Sequence, residues 1–414
     1  MSDTLSSGSR PVVDFNQHSE RYASDGHALF DTMRESCPVA WSEAHGGFWV
    51  ASRYEDVTRI VSEYESFSSD HDLPEEVAGF PSTGTGFRGV GIPEGVVKFV
   101  PSEADPPLST AIRRLEAPFF TPKAINGRVG AIEAATDAAL DAVMAKGRIE
   151  FSEELAVPIP IMVSLPIIGI GSEEWPLFAA TSSMFHIMSD SPDYPYPQIM
   201  AVQARILKLV AERRASPQHD VASALVHGQV NGESLTDAQV GTILNGLSFA
   251  GAHTVTSLIL FALEYLGKHP ELRAPLLADP KLLDNALEEL LRFYTPFQGA
   301  GRNVVGTTEV GGQTLRHGER IYASMAAANH DPAKFECPHE IRIDRPNARE
   351  HLAFSSGLHR CLGAGLAKVQ AAIIVRKILQ RLPDYEIVWD DVVRSNHIGS
   401  LNTLVALPAV FKPT

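Results

Sequence analysis

The chain has 414 residues, 44% of them hydrophobic and 21% charged, so it can bury a large core and carries no signature of disorder. Its formal charge of -15 argues against a nucleic-acid partner, because neutralising phosphates requires a positive face. Cys37, Cys337 and Cys361 form no CxxC pair, which gives no support to a disulfide framework or to a zinc site of the common kinds and suits a reducing compartment.

Met1 to Val13 is polar, without the pattern of a signal peptide or membrane anchor, and reads as the flexible tail of a cytoplasmic protein. No Gly/Ser-rich or Pro-rich linker divides the chain, so one domain is expected over 1–414. Gly47 to Ser52 reads as a short strand and Tyr54 to Ser62 as a helix. Leu73 to Pro101 is Gly- and Pro-rich and predicts a long surface loop of the kind that bounds ligand sites. Helices are expected over Asp105 to Leu115 and Val129 to Ala145, whereas the apolar stretch from Ser152 to Ile170 is interrupted by Pro158, Pro160 and Pro166.

A single very long helix is predicted from Thr236 to Lys268, opened by a Thr236-x-x-Gln239 capping box. Val240 to Ala262 lacks Asp, Glu, Lys and Arg, which is long enough for a membrane span. Asn245, Ser248, His253, Thr254, Thr256 and Ser257 would be costly in lipid, so the stretch reads as a buried core helix and no membrane is expected. Leu282 to Tyr294 predicts another helix, Gly311-Gly312 a hairpin turn, and Arg320-Ile321-Tyr322 a strand. A last helix should start near Cys361 and run to about Leu382, with Leu362, Leu366, Val369, Ile373, Val375, Ile378 and Leu379 as its apolar stripe. The fold class is mainly α with small β-sheets.

Cys361 at a helix N-terminus meets the positive end of the macrodipole and free amides, which favour a metal-ligating thiolate. A lone cysteine is more often an inert core residue, but this one stands in Phe354-Ser355-Ser356-Gly357-Leu358-His359-Arg360-Cys361-Leu362-Gly363. That run resembles the cysteine-ligand loop of the cytochromes P450, with Ser355 where the family commonly has glycine. Glu289-Leu290-Leu291-Arg292 resembles the family's E-x-x-R pair, whose side chains share one helical face. Ala328-Asn329-His330-Asp331-Pro332-x-x-Phe335 and Asp344-Arg345-Pro346 resemble the meander that follows, with Arg345 joining the pair. Ala250-Gly251-Ala252-His253-Thr254 resembles the oxygen-activation motif, and Asp105-Pro106-Pro107 with Arg113 resembles a propionate-binding segment in which Leu108 and Ser109 replace the usual Glu and His.

The resemblance is greatest to the soluble bacterial camphor-hydroxylase branch. It implies the P450 fold, with haem b (iron protoporphyrin IX) between the long central helix and the cysteine loop. Cys361 would ligate the iron, Arg113, Arg302 and His359 would bind the propionates, and Phe354 would wall off the sulfur. Gly357 and Gly363 would let the chain approach the porphyrin, while Ala250 and Gly251 would leave room for a kink and for dioxygen. Glu289, Arg292 and Arg345 would be structural. Thr254 would be the catalytic hydroxyl and His253, where the family places an acid, the proton shuttle.

By the same register Val97, Gly246, Phe249, Ala250, Gln298 and Leu401 would line the substrate pocket, which suits a small or medium hydrophobic compound of the terpenoid, aromatic or lipid-like classes. No flavin, Rossmann or Cys-rich segment is present, so a separate ferredoxin and ferredoxin reductase would supply electrons, docking on Arg113, Arg114, Lys123, Arg360 and Lys368. The chain is expected to be a monomer that uses O2. His253 leaves one alternative chemistry, a peroxide-driven or non-hydroxylating haem-thiolate enzyme. A helical ligand-binding or membrane protein with an incidental cysteine loop is the alternative from another class.

Overall fold

The computed structural model describes residues 10–89, 98–185, 187, 191–399 and 401–413. Helices dominate it, beginning with α1 (Glu20–Ser36), whose N-cap Ser19 accepts from the Tyr22 amide. Strands β1 (Val39–Ser42) and β2 (Phe48–Ala51) follow, then α2 (Tyr54–Ser62), whose bounds are those read from its apolar stripe of Val57, Ile60 and Val61. The further elements used below are β3 (Phe67–Ser68), α3 (Leu108–Glu116), α4 (Val129–Met144), α5 (Pro158–Ile168), α6 (Tyr196–Ala215), α7 (Asp237–Ala250), α8 (His253–Lys268) and α9 (Pro280–Tyr294). Strands β4 (Gly299–Val304), β5 (Thr308–Val310), β6 (Gln313–Leu315) and β7 (Arg320–Ser324) precede α10 (Ala364–Arg381).

A five-stranded sheet has the order β1-β2-β7-β4-β3. Strand β7 pairs in parallel with β2 and antiparallel with β4, setting Ile321 opposite Arg302 and so placing Arg302 in register beside a buried apolar residue. The β5–β6 hairpin turns on Gly311 and Gly312 with φ of 53° and 78°, the double positive φ that a tight hairpin requires.

The long apolar stretch is two helices, not one. α7 ends at Ala250 and α8 starts at His253, and at the break Gly251 N–H donates to Leu247 O at 3.2 Å and Ala252 N–H to Phe249 O at 3.4 Å. A Cβ on Gly251 would lie 3.2 Å from Ser164 Cβ on α5, so glycine admits the close crossing of the two elements. The capping box forms with both halves in place. α8 packs against α9 and α10, with Phe261 and Tyr294 stacked at 4.1 Å, and 78% of the apolar window across α7 and α8 is buried inside the protein. Helix on helix thus satisfies an apolar surface that could otherwise have met lipid.

Four other expectations need correction. Of the prolines after Ser152, Pro158 stands at the expected break, since a separate π-helix over Ser152–Ala156 ends before it, whereas Pro160 and Pro166 do not interrupt α5. Pro158 occupies its first turn, where no N–H is needed, and Pro166 sits inside a helix held by buried Ile159, Ile161, Leu165 and Ile167. The tail expected to be flexible through Val13 is held at its described end, because Val12 bridges Trp41 and the Trp41 amide donates to Pro11 O at 2.7 Å. The segment read as a surface loop from Leu73 to Pro101 contains the short helix Glu75–Ala78 and buries Phe80, Phe87 and Lys98. α10 starts three residues later than expected, leaving Cys361 just ahead of it.

Helix α3 carries one costly group. Glu116 is 2% exposed, its Oε1 has no hydrogen-bond partner, and burial raises its pKa from 4.5 to about 7 against the opposing pull of Arg113. The folded chain therefore binds more protons than the unfolded one between those values, so stability falls as pH rises through that window. Glu116→Gln is expected to melt at the wild-type temperature near pH 4 and to be more stable near pH 8, by up to about 3 kcal/mol. Thermal midpoints at the two pH values check this, and a pH-independent difference contradicts it.

Candidate active site

The cysteine loop is closed by backbone. Cys361 N–H donates to Phe354 O at 2.8 Å, Ser355 N–H to Leu352 O at 2.7 Å, and Arg360 N–H to Gly357 O at 3.2 Å. Gly357 has φ of 64°, and a Cβ there would stand 2.8 Å from Ser62 Cα, so both conformation and the neighbouring end of α2 demand glycine. Ser355 has φ of 58°, which explains why a glycine suits that position and shows that serine adopts the same turn. A Cβ on Gly363 would meet nothing within 4 Å, so no protein atom demands glycine there.

The Cys361 sulfur accepts from the Gly363 and Ala364 amides, the first turn of α10 supplying the donors expected of a helix N-terminus. The amides lower the thiol's pKa as expected, but burial outweighs them and pushes it up. A metal ion's own charge reverses that balance.

Above the loop two arginines and a histidine cluster. Arg302 is buried, it donates to the adjacent Gly301 O at 2.7 Å, and desolvation lowers its pKa to about 10. His359 has two buried ring nitrogens without hydrogen-bond partners, and burial, with Arg302 and Arg113 nearby, lowers it to about 4. Arg113 donates to Arg360 O at 2.7 Å. A buried guanidinium, a second arginine and orphaned ring nitrogens beside a lone thiol match a planar dianionic group with a central metal, so these residues fit a haem. Asp105 holds the entry to α3 by accepting from the Ser69 amide at 2.9 Å and from the Ser68 hydroxyl, while Ser109, in the place of a histidine, is buried.

Beneath the loop the expected structural network is complete. Glu289 accepts from Arg292 Nε at 2.7 Å and Nη2 at 2.8 Å, and from Arg345 Nε at 2.9 and 3.0 Å. The two guanidinium groups then donate to carbonyls of Asn329, Pro338, Glu340, Glu336 and Cys337, pinning the segment that leads to Cys361. Asn329 Oδ1 in turn accepts from the Leu352 amide at 2.7 Å.

Sequence reasoning missed Glu288. Its carboxylate accepts from His351 Nε2 at 3.0 Å and from Lys368 at 2.9 Å, which brings it down to about 2 despite burial. The Ala353 amide donates to His351 Nδ1 at 3.0 Å, so this trio braces the start of the cysteine loop against α9 and α10. Lys368 is thereby engaged, leaving Arg114, Lys123 and Arg360 as the exposed part of the expected basic patch.

On the opposite wall, the Thr254 hydroxyl donates to Ala250 O at 3.2 Å across the helix break. His253 is buried, with Nδ1 3.2 Å from Phe249 O and Nε2 3.2 Å from Ser182 Oγ. The carbonyl can only accept, so Nδ1 carries a proton, and Nε2 faces the Ser182 hydroxyl, which can donate or accept. Gly246 and Phe249 are buried on α7, and a Cβ on Gly246 would lie 3.3 Å from the Phe99 ring. Leu401 is buried as well, whereas Val97 lies outside the described residues.

Gln298 departs from expectation. Its amide donates to Tyr294 O at 3.2 Å and to Thr295 O, and its Oε1 accepts from Tyr22 at 2.9 Å. It lines a cavity of about 190 Å³ with Tyr22, His27 and Phe293 that includes none of Cys361, Ala250 and Thr254. Backbone acceptors at the end of α9 claim its donors.

Residues 196–383 match a family model described as cytochrome P450. A steroid C26-monooxygenase of Mycobacterium tuberculosis (strain CDC 1551 / Oshkosh) is 30% identical over 319 residues, covering 75% of this chain and 86% of the relative. Cytochrome P450 107B1 of Saccharopolyspora erythraea is 28% identical over 379 residues, covering 90% and 91%. Among solved structures, cytochrome P450 CYP109Q5 from Chondromyces apiculatus superposes with a TM-score of 0.81 at 28% identity, covering 97% of this chain and 99% of that one. A mutant of P450 EryK in complex with erythromycin B gives 0.80 at 26% identity, covering 95% and 98%.

Proposed function

The chain belongs to the cytochrome P450 family of oxidoreductases, and from that footing we propose that it is a cytoplasmic, single-domain, monomeric haem-thiolate monooxygenase that places one oxygen atom of O2 into a hydrophobic substrate. The observation that carries this reading is the Cys361 thiol, receiving two amide donors beneath the two arginines Arg113 and Arg302 and the His359 ring. When bound there, haem b supplies dioxygen activation and electron transfer.

The chain's own residues do the rest. Arg302, Arg113 and His359 offer charge and hydrogen bonds to two propionates, and Phe354 shields the sulfur side. Gly246, Phe249, Ala250 and Leu401 offer an apolar wall without a fixed charge, which suits a terpenoid, aromatic or lipid-like substrate. The relatives support the larger end of that range, since one is named a steroid monooxygenase and one structure holds erythromycin B. The Thr254 hydroxyl, held by the Ala250 carbonyl at rest, can turn from it and donate into the pocket, and His253, which meets the Ser182 hydroxyl at Nε2, is the titratable group beside it that can exchange protons with solvent in place of an acid. A ferredoxin and its reductase deliver electrons, docking where Arg114, Lys123 and Arg360 are exposed.

Steroids and terpenoids screened for a Soret shift give the substrate for turnover with a ferredoxin, its reductase and NAD(P)H. In that system the wild type is expected to couple most electrons to hydroxylated product. Thr254→Ala should divert the majority to hydrogen peroxide, while His253→Asp keeps or raises the coupling. Unchanged coupling in Thr254→Ala removes the role given to that hydroxyl, and product formed only with added peroxide replaces the monooxygenase reading with a peroxide-driven one.

A further inference from the structure

Three histidines from separate parts of the chain meet outside the haem pocket. His27 lies on α1, His330 follows the short helix Met325–Asn329, and His339 lies in the segment that the Glu289 network pins. One ligand atom from each lies within 4.8 Å of the other two, and the ring centroids are 4.2 Å apart for His27 and His330 and 5.5 Å for His330 and His339. A tetrahedral zinc site with Zn–N bonds of about 2.0–2.1 Å needs ligand nitrogens roughly 3.4 Å apart. His27 and His339 are both exposed, so small rotations of their side chains can close that difference.

His330 supplies an independent indication. It is 1% exposed, and its Nδ1 lies 3.0 Å from Ala326 O, a pure acceptor, so the proton sits on Nδ1 and the Nε2 lone pair is free. That Nε2 is buried with no hydrogen-bond partner, a cost of about 1–3 kcal/mol that folded chains rarely leave uncompensated. A backbone carbonyl fixing one ring nitrogen while the other lone pair is presented is how metal-ligating histidines are held. Burial also keeps the ring neutral.

We propose that His27, His330 and His339 form a site for one divalent transition-metal ion, Zn2+ in the first instance, with Asp31 as the supporting carboxylate. Asp31 Oδ2 lies 2.9 Å from His339 Nε2, so it can orient that ring and supply negative charge. It also binds Arg34, and Arg34 and Arg292 are the cations that oppose the incoming charge. Neutral imidazoles select zinc, nickel or copper over magnesium and calcium, which require oxygen donors. The ion would tie α1 to the peptide next to Asn329, whose carbonyl accepts from Arg292 at 2.8 Å, and so would brace the haem-side network from outside.

Titrating ZnCl2 into the purified holoprotein by calorimetry tests this. One site per chain is expected, with no heat from MgCl2 and an unchanged Soret band. His27→Ala and His339→Ala, at exposed positions that leave the fold intact, should each weaken the zinc affinity at least about tenfold. The proposal fails if no stoichiometric zinc site is found, or if both variants bind zinc as the wild type does.

Discussion

Cys361→Ala is expected to abolish monooxygenation, by roughly a thousandfold or more, equivalent to about 4 kcal/mol of activation free energy. The reason is chemical before it is structural, since Cys361 is the cysteine within the loop and its sulfur takes N–H donors from Gly363 and Ala364. Backbone closes the loop, so an alanine there removes the sulfur without removing the turn. Cys361→His separates the two contributions, because it retains a ligand and discards the thiolate's electron donation. It should hold haem with a displaced Soret band and remain inactive in hydroxylation. Absorption spectra and product assays on the three proteins decide the matter, and a Cys361→Ala variant with wild-type spectrum and turnover contradicts the assignment.

Glu289→Ala is expected to cost about 3–5 kcal/mol and to lower the haem content of the purified protein. Glu289 is fully buried between Arg292 and Arg345, so its loss leaves two desolvated guanidinium groups with only carbonyl partners. The buried ion pair need not stabilise relative to an apolar replacement of all its members, but removing one member is expensive. Its work is positional, because Arg292 and Arg345 hold the carbonyls of residues between Asn329 and Glu340, and Asn329 holds the Leu352 amide at the start of the cysteine loop. Thermal melts and the ratio of haem to protein report the two effects separately. A loss below about 1 kcal/mol with full haem content contradicts this role.

Much of the candidate site is legible from short stretches of chain. The run from Phe354 to Gly363 carries its own turn, since Gly357 and Ser355 take the positive φ values and the Phe354 carbonyl receives the Cys361 amide within the same run. The Glu289–Arg292 pair follows from helical spacing alone. α2, α4 and the β5–β6 hairpin are equally local, their apolar stripes or paired glycines lying in the sequence itself.

Other features depend on residues far apart in the chain. Glu288 becomes a brace only when His351 and Lys368 arrive beside it, and Gln298 turns from the expected substrate pocket because Tyr22 and two carbonyls take its amide. His27, His330 and His339 form no motif and meet only in space. The sequence by itself determined the mainly helical class, the P450 resemblance and the identity of the sulfur, because these rest on local periodicity and on contiguous motifs. Only the tertiary structure decided where the central helix breaks, which polar groups are already satisfied and which buried nitrogens are not. Burial and hydrogen-bond partnership are set by neighbours that chain order does not specify.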